Sequence, residues 1–340
     1  MMLRFLQVVV AGGLLVATSC APATAPAAAP APAPTAVPLT HVTVAYSNVS
    51  TTILPEWVAQ NTGMFQKHGL DVDLQYAASA TSVSALVSGQ MQVATVGLSE
   101  VLGAIAGGAD LVVIATQVPA YPYVFEVAPG IQSAADLKGK AVGISRPGSS
   151  SDIATRVVLK KFGLDPDKDV TLVQTGSVSE RAAAMQTGAL QAAVASPPDT
   201  MAAERLGWHP LFDLAGLGLP AVTLGLVVQR TYRDTNHATL QAYVDSIVEG
   251  IARARGDRAL SLQLLKGQLN IDSDADLNVT YDYFTSQQLM PALPYPRAEQ
   301  FTDTVEVLGE SNANLTKLDV PTLLDASFVS SAEQRGLSTP

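Results

Sequence analysis

A hydroxyl-rich loop, Arg146-Pro147-Gly148-Ser149-Ser150-Ser151-Asp152, separates two apolar segments near the middle of the chain. Its residue types suit hydrogen bonding rather than bond making: three adjacent hydroxyls and a carboxylate, with no histidine close in sequence to act as a base. Before the loop, Ala141-Val142-Gly143-Ile144-Ser145 predicts a buried strand. After it, Ala154, Val157, Val158 and Phe162 recur at helical steps, with Ser151 or Asp152 as the cap and Gly163 as the stop. A strand that delivers hydroxyls to a helix N-terminus can hold a small polar or anionic group, because free amides and the positive dipole end point into the loop. Ordinary strand-to-helix connectivity with serine caps gives the same pattern, so the loop alone does not establish function.

The elements that position this loop occur twice. Val42-Thr43-Val44-Ala45-Tyr46 predicts a strand, Ser47-Asn48-Val49-Ser50-Thr51-Thr52 a second hydroxyl loop, and residues 55–65 a helix with Pro55 in its first turn. A second strand follows in each copy, Asp71-Val72-Asp73-Leu74-Gln75-Tyr76 leading to Ser79 and Asp169-Val170-Thr171-Leu172-Val173-Gln174 leading to Ser177. A helix ending near Gly89 or Gly188 comes next, then a third strand, Val93-Ala94-Thr95-Val96 or Ala192-Ala193-Val194-Ala195. Two copies of βαβαβ with right-handed crossovers put their strand ends and hydroxyl loops along one edge each. Two such edges facing each other make a cleft.

The 340 residues, 48% hydrophobic, can fill two cores. A net charge of −10 argues against nucleic acid or an anionic membrane surface as a partner. At the N-terminus Arg4 precedes an apolar run over residues 5–17, the length of a secretory signal rather than of a membrane span. Ala17-Thr18-Ser19-Cys20 reads as a lipobox, and Cys20 is the only cysteine, so lipidation is expected there and no intrachain disulfide can form. Residues 21–39 are rich in alanine and proline and form a tether, up to ~50 Å long at roughly 3 Å per residue.

From residue 40 the first repeat runs to about 122, with Gly97-Leu98-Ser99-Glu100 opening a helix and Leu111-Val112-Val113-Ile114-Ala115 a fourth strand. The second repeat occupies residues 123–230; Ser196-Pro197-Pro198-Asp199 caps a helix over 200–206, and the apolar run 222–229 is expected to carry the chain out of that lobe. Beyond it the pattern is helical: Leu240, Tyr243, Val244, Ile247, Val248 and Ile251 form a stripe, with further helices near 260–269, 281–289 and 299–308. Packed back on the first lobe, they give lobe 1 as 40–122 plus 231–340 and lobe 2 as 123–230, with a hinge near 121–124 and 228–232.

Signals for catalysis are thin. His41, His68, His209 and His237 are scattered, and none stands at metal-ligand spacing. Gly216-Leu217-Gly218-Leu219-Pro220-Ala221 matches a loose dinucleotide fingerprint, but Pro220 makes it a turn. Trp57 and Phe65 read as core, Tyr46 as a ring that either stacks on a ligand or closes the lobe, and Tyr121 and Tyr123 as either hinge packing or ligand contacts.

Several phrases resemble solute-binding proteins of bacterial ABC importers, in the branch of nitrate, taurine, alkanesulfonate and thiamine-pyrimidine-precursor binders (NMT1/THI5-like, SsuA-like). They are Trp57-Val58-Ala59, Gly63-Met64-Phe65, Gly69-Leu70-Asp71-Val72, Ala85-Leu86-Val87-Ser88-Gly89, Gly108-Ala109-Asp110-Leu111-Val112, Asp136-Leu137-Lys138-Gly139-Lys140 and Gly163-Leu164-Asp165-Pro166. The related pyrimidine synthases carry a cysteine-rich iron motif that this sequence lacks. The resemblance implies an α/β, two-lobed periplasmic-binding-protein fold of type II, each lobe a mainly parallel sheet flanked by helices. It implies a ligand held between the lobes by Tyr46, Ser47, Ser50, Ser79, Thr81, Ser82, Gly97, Ser99, Ser149, Ser150, Ser151, Thr175, Ser177 and Ser196. No cofactor, metal or covalent chemistry is implied. The partners expected are a small solute, either a sulfonate-like anion or a small heteroaromatic, and an ABC permease. The chain itself is expected to be a monomer held by a lipid anchor outside the cytoplasmic membrane. An exported enzyme on the same scaffold and a sensory protein docking on a receptor are the alternatives.

Overall fold

The computed structural model describes residues 38–175, 178–286 and 288–339. The signal, Cys20, most of the tether and Ser177 lie outside the described residues.

Two five-stranded sheets carry the chain. The first contains β1 (Thr40–Tyr46), β2 (Leu70–Tyr76), β3 (Val93–Gly97), β4 (Leu111–Val118) and a late strand, β10 (Leu224–Gln229), in the order β2-β1-β3-β10-β4. The second contains β5 (Val124–Val127), β6 (Ala141–Ile144), β7 (Thr171–Gln174), β8 (Ala192–Ala195) and β9 (His209–Asp213), in the order β7-β6-β8-β5-β9. In each sheet the repeat's three strands pair in parallel, β1 with β2 and β3, and β6 with β7 and β8. The fourth strand of each sheet is antiparallel to both its neighbours. The α/β, two-lobed, mainly parallel architecture expected from the repeats is therefore present, with one reversed strand in each sheet.

The reversed strands correct one expectation. β5 enters the second sheet directly after β4 of the first, and β10 enters the first sheet directly after β9, between β3 and β4. Residues 222–229 thus do not form an exit strand of the second lobe, and the return crossing lies between Asp213 and Leu224 rather than near 228–232. β10 is buried on both faces, with Leu226 and Val228 in one core and Val227 in the other. A continuous apolar run of this kind fits the interior of either sheet, so its sequence does not say which.

Helices cover both faces of each sheet. On the first, α1 (Leu54–Asn61) and the short α2 (Met64–Lys67) pack on one side and α3 (Ser79–Val87) and α4 (Leu98–Ala106) on the other. The single helix expected over 55–65 breaks because Gly63 adopts φ +73°, a left-handed stop; Phe65 stays buried, stacked on Tyr243 at 5.5 Å. On the second sheet, α5 (Ser150–Lys161) lies on one face, and α6 (Val178–Gln186) and α7 (Asp199–Arg205) contribute to the core on the other.

The C-terminal part supplies α8 (Arg230–Thr235), α9 (His237–Gly256), α10 (Arg258–Leu269), α11 (Asp274–Phe284), α12 (Thr302–Gly309) and α13 (Ser327–Gln334). The predicted stripe of α9 is fully buried on the first core. α11 starts earlier than the 281–289 expected, because the Ser273 hydroxyl caps it by accepting from the Asp276 amide at 3.2 Å. Not all of these helices belong to the first lobe alone: in α12, Val307 joins the second lobe's core, Val305 packs on the first, and Leu308 packs on both.

The contact of α1 with α9 depends on Gly250, where an added Cβ would lie 2.5 Å from the Pro55 carbonyl oxygen. Backbone cannot yield as a side chain does, so Gly250→Ala is expected to cost ~1–3 kcal/mol despite alanine's better helix propensity. A lower urea midpoint with an unchanged slope checks this.

Candidate functional site

The carboxyl ends of β1 and β3 in one lobe face those of β6 and β8 in the other across a cavity of about 490 Å³. Of the sequence-predicted residues, Ser47, Ser79, Gly97, Ser149, Ser150, Ser151 and Ser196 line it. Both repeats contribute, as paired edges require.

Several of these hydroxyls already have protein partners. The cap of α5 is Ser149, not Ser151 or Asp152: its Oγ accepts from the Asp152 amide at 3.4 Å. Ser151 Oγ accepts from the Ser145 amide at 3.0 Å, and Ser196 Oγ donates to the Pro122 carbonyl at the crossing. Ser47, Ser79 and Ser150 are the lining serines whose hydroxyls have no protein partner among the described residues.

The remaining predicted residues are drawn elsewhere by local bonds. Tyr46 packs against Tyr76 at 5.8 Å, outside the cavity lining. Ser50 caps the turn before α1 and bonds Thr52 Oγ1 at 2.8 Å. Thr81 is exposed on α3, while Ser82 donates to the Ala77 carbonyl at 2.7 Å. Ser99 donates to Glu100 at 2.7 Å, and Thr175 to the Ile144 carbonyl at 3.1 Å.

Sequence reasoning missed the charged half of the site. Arg181 comes from α6 and is 6% exposed, with its stem lying over Gly143 of β6, where the missing Cβ leaves room. Its Nη1 donates to the Val194 carbonyl and its Nη2 to Ser145 Oγ, both at 2.7 Å, and its Nε is buried without a partner. It forms no ion pair among the described residues. Burial pulls this guanidinium below its ordinary pKa, with Tyr123 and Asp199 pulling the other way. Asp199, also lining the cavity, is pushed above the usual carboxylate range by burial, against the pull of Arg181. Arg181 stands beside alanines in the sequence, and nothing in that run says the helix turns it inward.

Two ion pairs link the lobes around the cavity, Arg146 with Glu100 and Arg205 with Asp276. Arg146, the arginine of the second repeat's hydroxyl loop, is therefore already paired. The second lobe also presents an apolar wall of Met185, Ala202, Ala203 and Leu206. The arrangement offers a buried cation without an ion-pair partner, free hydroxyls and an apolar wall, groups that can hold a small solute. No histidine lines the cavity. Among the described residues no group of three or more His, Cys, Asp or Glu is placed to hold a metal ion, and no helix is long and apolar enough to cross a membrane.

The chain is similar in fold to the periplasmic aliphatic sulphonate binding protein SsuA from Escherichia coli, at TM-score 0.70 and 23% identity over 84% of this chain and 97% of that one. It is similar also to the periplasmic nitrate-binding protein NrtA from Synechocystis PCC 6803, at TM-score 0.67 and 16% identity over 89% and 91% of the two chains. In sequence it is 32% identical over 155 residues to YtlA of Bacillus subtilis (strain 168), a match covering 44% of this chain and 46% of that protein. The chain thus matches less than half the length of that curated relative. A family model described as NMT1/THI5 like matches residues 50–258, which include the first repeat from after β1, the whole second repeat with its hydroxyl loop, and Arg181, and the chain belongs to the NMT1/THI5-like family.

Proposed function

We propose that this protein is the solute-capturing component of an ABC importer, a monomer held outside the cytoplasmic membrane by a lipid on Cys20. It binds a small organic anion of the sulfonate kind between its lobes and hands it unchanged to a membrane permease. The observation that carries this reading is Arg181, a cation buried beside the cavity with no carboxylate paired to it. An oxyanion can supply the missing charge, with Ser47, Ser79 and Ser150 and the N-terminus of the twelve-residue α5 as further donors. The apolar wall suits an aliphatic portion better than bare nitrate. The heteroaromatic alternative loses Tyr46 as its stacking residue, since that ring packs on Tyr76.

The competing enzyme reading finds no histidine base at the cavity, because each histidine is engaged away from it. His41 meets Asp71, His68 meets Glu249, His209 bonds the Ile131 carbonyl and His237 stacks on Phe328. Equilibrium dialysis against alkanesulfonates, taurine, nitrate and pyrimidines, with mass spectrometry of both compartments, tests the two readings together. Retention of one class with its mass unchanged supports capture, whereas a consumed compound transfers the case to catalysis.

The anchor has its own test. Cys20→Ala is expected to shift the protein from the membrane fraction to the soluble extracytoplasmic fraction. Unchanged partitioning of that variant removes the lipid from the account.

A further inference from the structure

Behind the cleft wall of the first lobe lies a carboxyl group that the capture reading does not use. Glu56, in the first turn of α1, has no exposed surface. Its Oε1 accepts from Thr95 Oγ1 of β3 and from Gln117 Nε2 of β4, both at 2.9 Å. Its Oε2, the Gln117 Oε1 and the Tyr243 hydroxyl of α9 are all buried without partners. Buried polar atoms are rarely left so, and three orphans around one carboxyl mark a place where the protonation state matters. The groups acting on Glu56 are neutral: Thr95, Gln117 and the helix's own backbone. Tyr243 is the titratable side chain coupled to it, and it stays neutral far into alkali because of its own burial. No basic side chain compensates an ionised Glu56, and burial pushes its carboxyl up to about 7.

The carboxyl is connected to the cavity by short covalent and hydrogen-bonded paths. Thr95 accepts the Ser47 amide at 3.1 Å and stands two residues before Gly97; Ser47 and Gly97 both line the cavity. One turn before Glu56, Thr52 Oγ1 donates to Asn48 Oδ1 at 3.3 Å, and Asn48 lines the cavity too.

We propose that Glu56 is a positioning residue for the solute site: protonated, it fixes Thr95 and Gln117 and through them the wall that presents Ser47, Asn48 and Gly97. The acid form can donate from Oε2 to the orphan oxygens, closing the cluster. The carboxylate cannot, and a bare charge in the core draws in water and loosens the strand ends. Solute capture therefore weakens as the surroundings turn from mildly acid to mildly alkaline. This rests on the capture reading for its functional consequence, but the positioning itself is open to measurement without solute.

In the solute-free protein, hydrogen exchange of the Ser47 amide, corrected for its intrinsic rate, is expected to accelerate at least tenfold from pH 6 to pH 8.5. In Glu56→Gln, which keeps the shape and a donor, the corrected rate is expected to stay level. Binding of 1-butanesulfonate is expected to weaken at least threefold over the same range in the native protein and not in the variant. A level corrected rate in the native protein, or the same slope in Glu56→Gln, overturns the proposal. If exchange follows the expectation while 1-butanesulfonate fails to bind at any pH, the positioning stands and the ligand class falls. Should Glu56→Gln not fold, Tyr243→Phe serves instead. Removing an acceptor of the acid form is expected to move the exchange profile to lower pH, and an unmoved profile counts against Glu56 as its source.

Discussion

Arg181→Met is expected to lose solute binding by 10- to 100-fold or more while leaving the solute-free protein about as stable as before. The two effects separate because Arg181 is costly to the empty protein. It holds a charge that is 6% exposed and unpaired, anchored by two neutral acceptors, the Val194 carbonyl and Ser145 Oγ. Losing those two bonds costs ~1 kcal/mol each, and relief of the buried charge offsets it, so the net change in stability is expected within ~1 kcal/mol. A bound anion meets the same guanidinium as a charge-assisted partner in a water-poor site, where such bonds contribute ~1.5–3 kcal/mol each. Calorimetric titration gives the affinities and thermal melting the stabilities. Arg181→Lys separates charge from geometry: if the fork itself recognises the ligand, lysine restores only part of the affinity. Equal losses of stability and binding in Arg181→Met would make the residue structural.

The second large effect is on stability against pH. Besides Glu56, Glu126 of β5 has no exposed surface, and neither of its oxygens has a partner. Burial pushes its carboxyl to about 7, with the charge of Glu204 adding to the rise. For both groups the folded state holds a proton that the unfolded chain releases near 4.5. Between those values the native state binds more protons, so stability falls as pH rises; it is full below about 4.5, declines to about 7 and levels off above. Each carboxyl is expected to contribute on the order of 3 kcal/mol to that decline. Opposing them, Asp136, Asp165 and Asp282 are held below their usual range, Asp136 by backbone amides and Asp165 and Asp282 by hydrogen bonds from Lys168 and Arg258. Those three act only in acid, losing their contribution as pH falls through their lowered values. The protein is therefore expected to melt higher at pH 5 than at pH 8, with Glu56→Gln and Glu126→Gln each removing part of the slope. A melting temperature that rises from pH 5 to pH 8 would contradict both assignments.

What was legible in the sequence was local. Strand, hydroxyl loop and helix follow within some twenty residues in each repeat, and short-range signals such as Pro55, Gly163 and the stripe of α9 mark them. The parallel pairing of β1, β2 and β3 and of β6, β7 and β8 follows from that order and from the hand of the crossover. What was not legible depends on where a residue ends up after the chain has crossed twice. β10 reads as any buried strand, yet its place between β3 and β4 belongs to the other lobe. A serine beside a helix start satisfies the helix first, as Ser149 and Ser50 do, and reaches a ligand only if a neighbour caps instead. Arg181 escaped notice because helical periodicity reports which face is apolar and says little of which way an arginine between Glu180 and three alanines will point. α12 spans both lobes because its apolar residues point two ways, a pattern that reads as one wide stripe.

The central claim is that the cavity between the lobes captures a small organic anion. Its most direct measurement is the melting temperature of the chain from residue 38 onward, in a panel of alkanesulfonates, taurine, nitrate, pyrimidines and neutral amino acids. A ligand at 1,000 times its dissociation constant stabilises by ~4 kcal/mol, which moves the midpoint of a protein this size by several degrees. The account predicts such a shift from one sulfonate-like class and its loss in Arg181→Met. A shift from a neutral heteroaromatic that survives in Arg181→Met would contradict it.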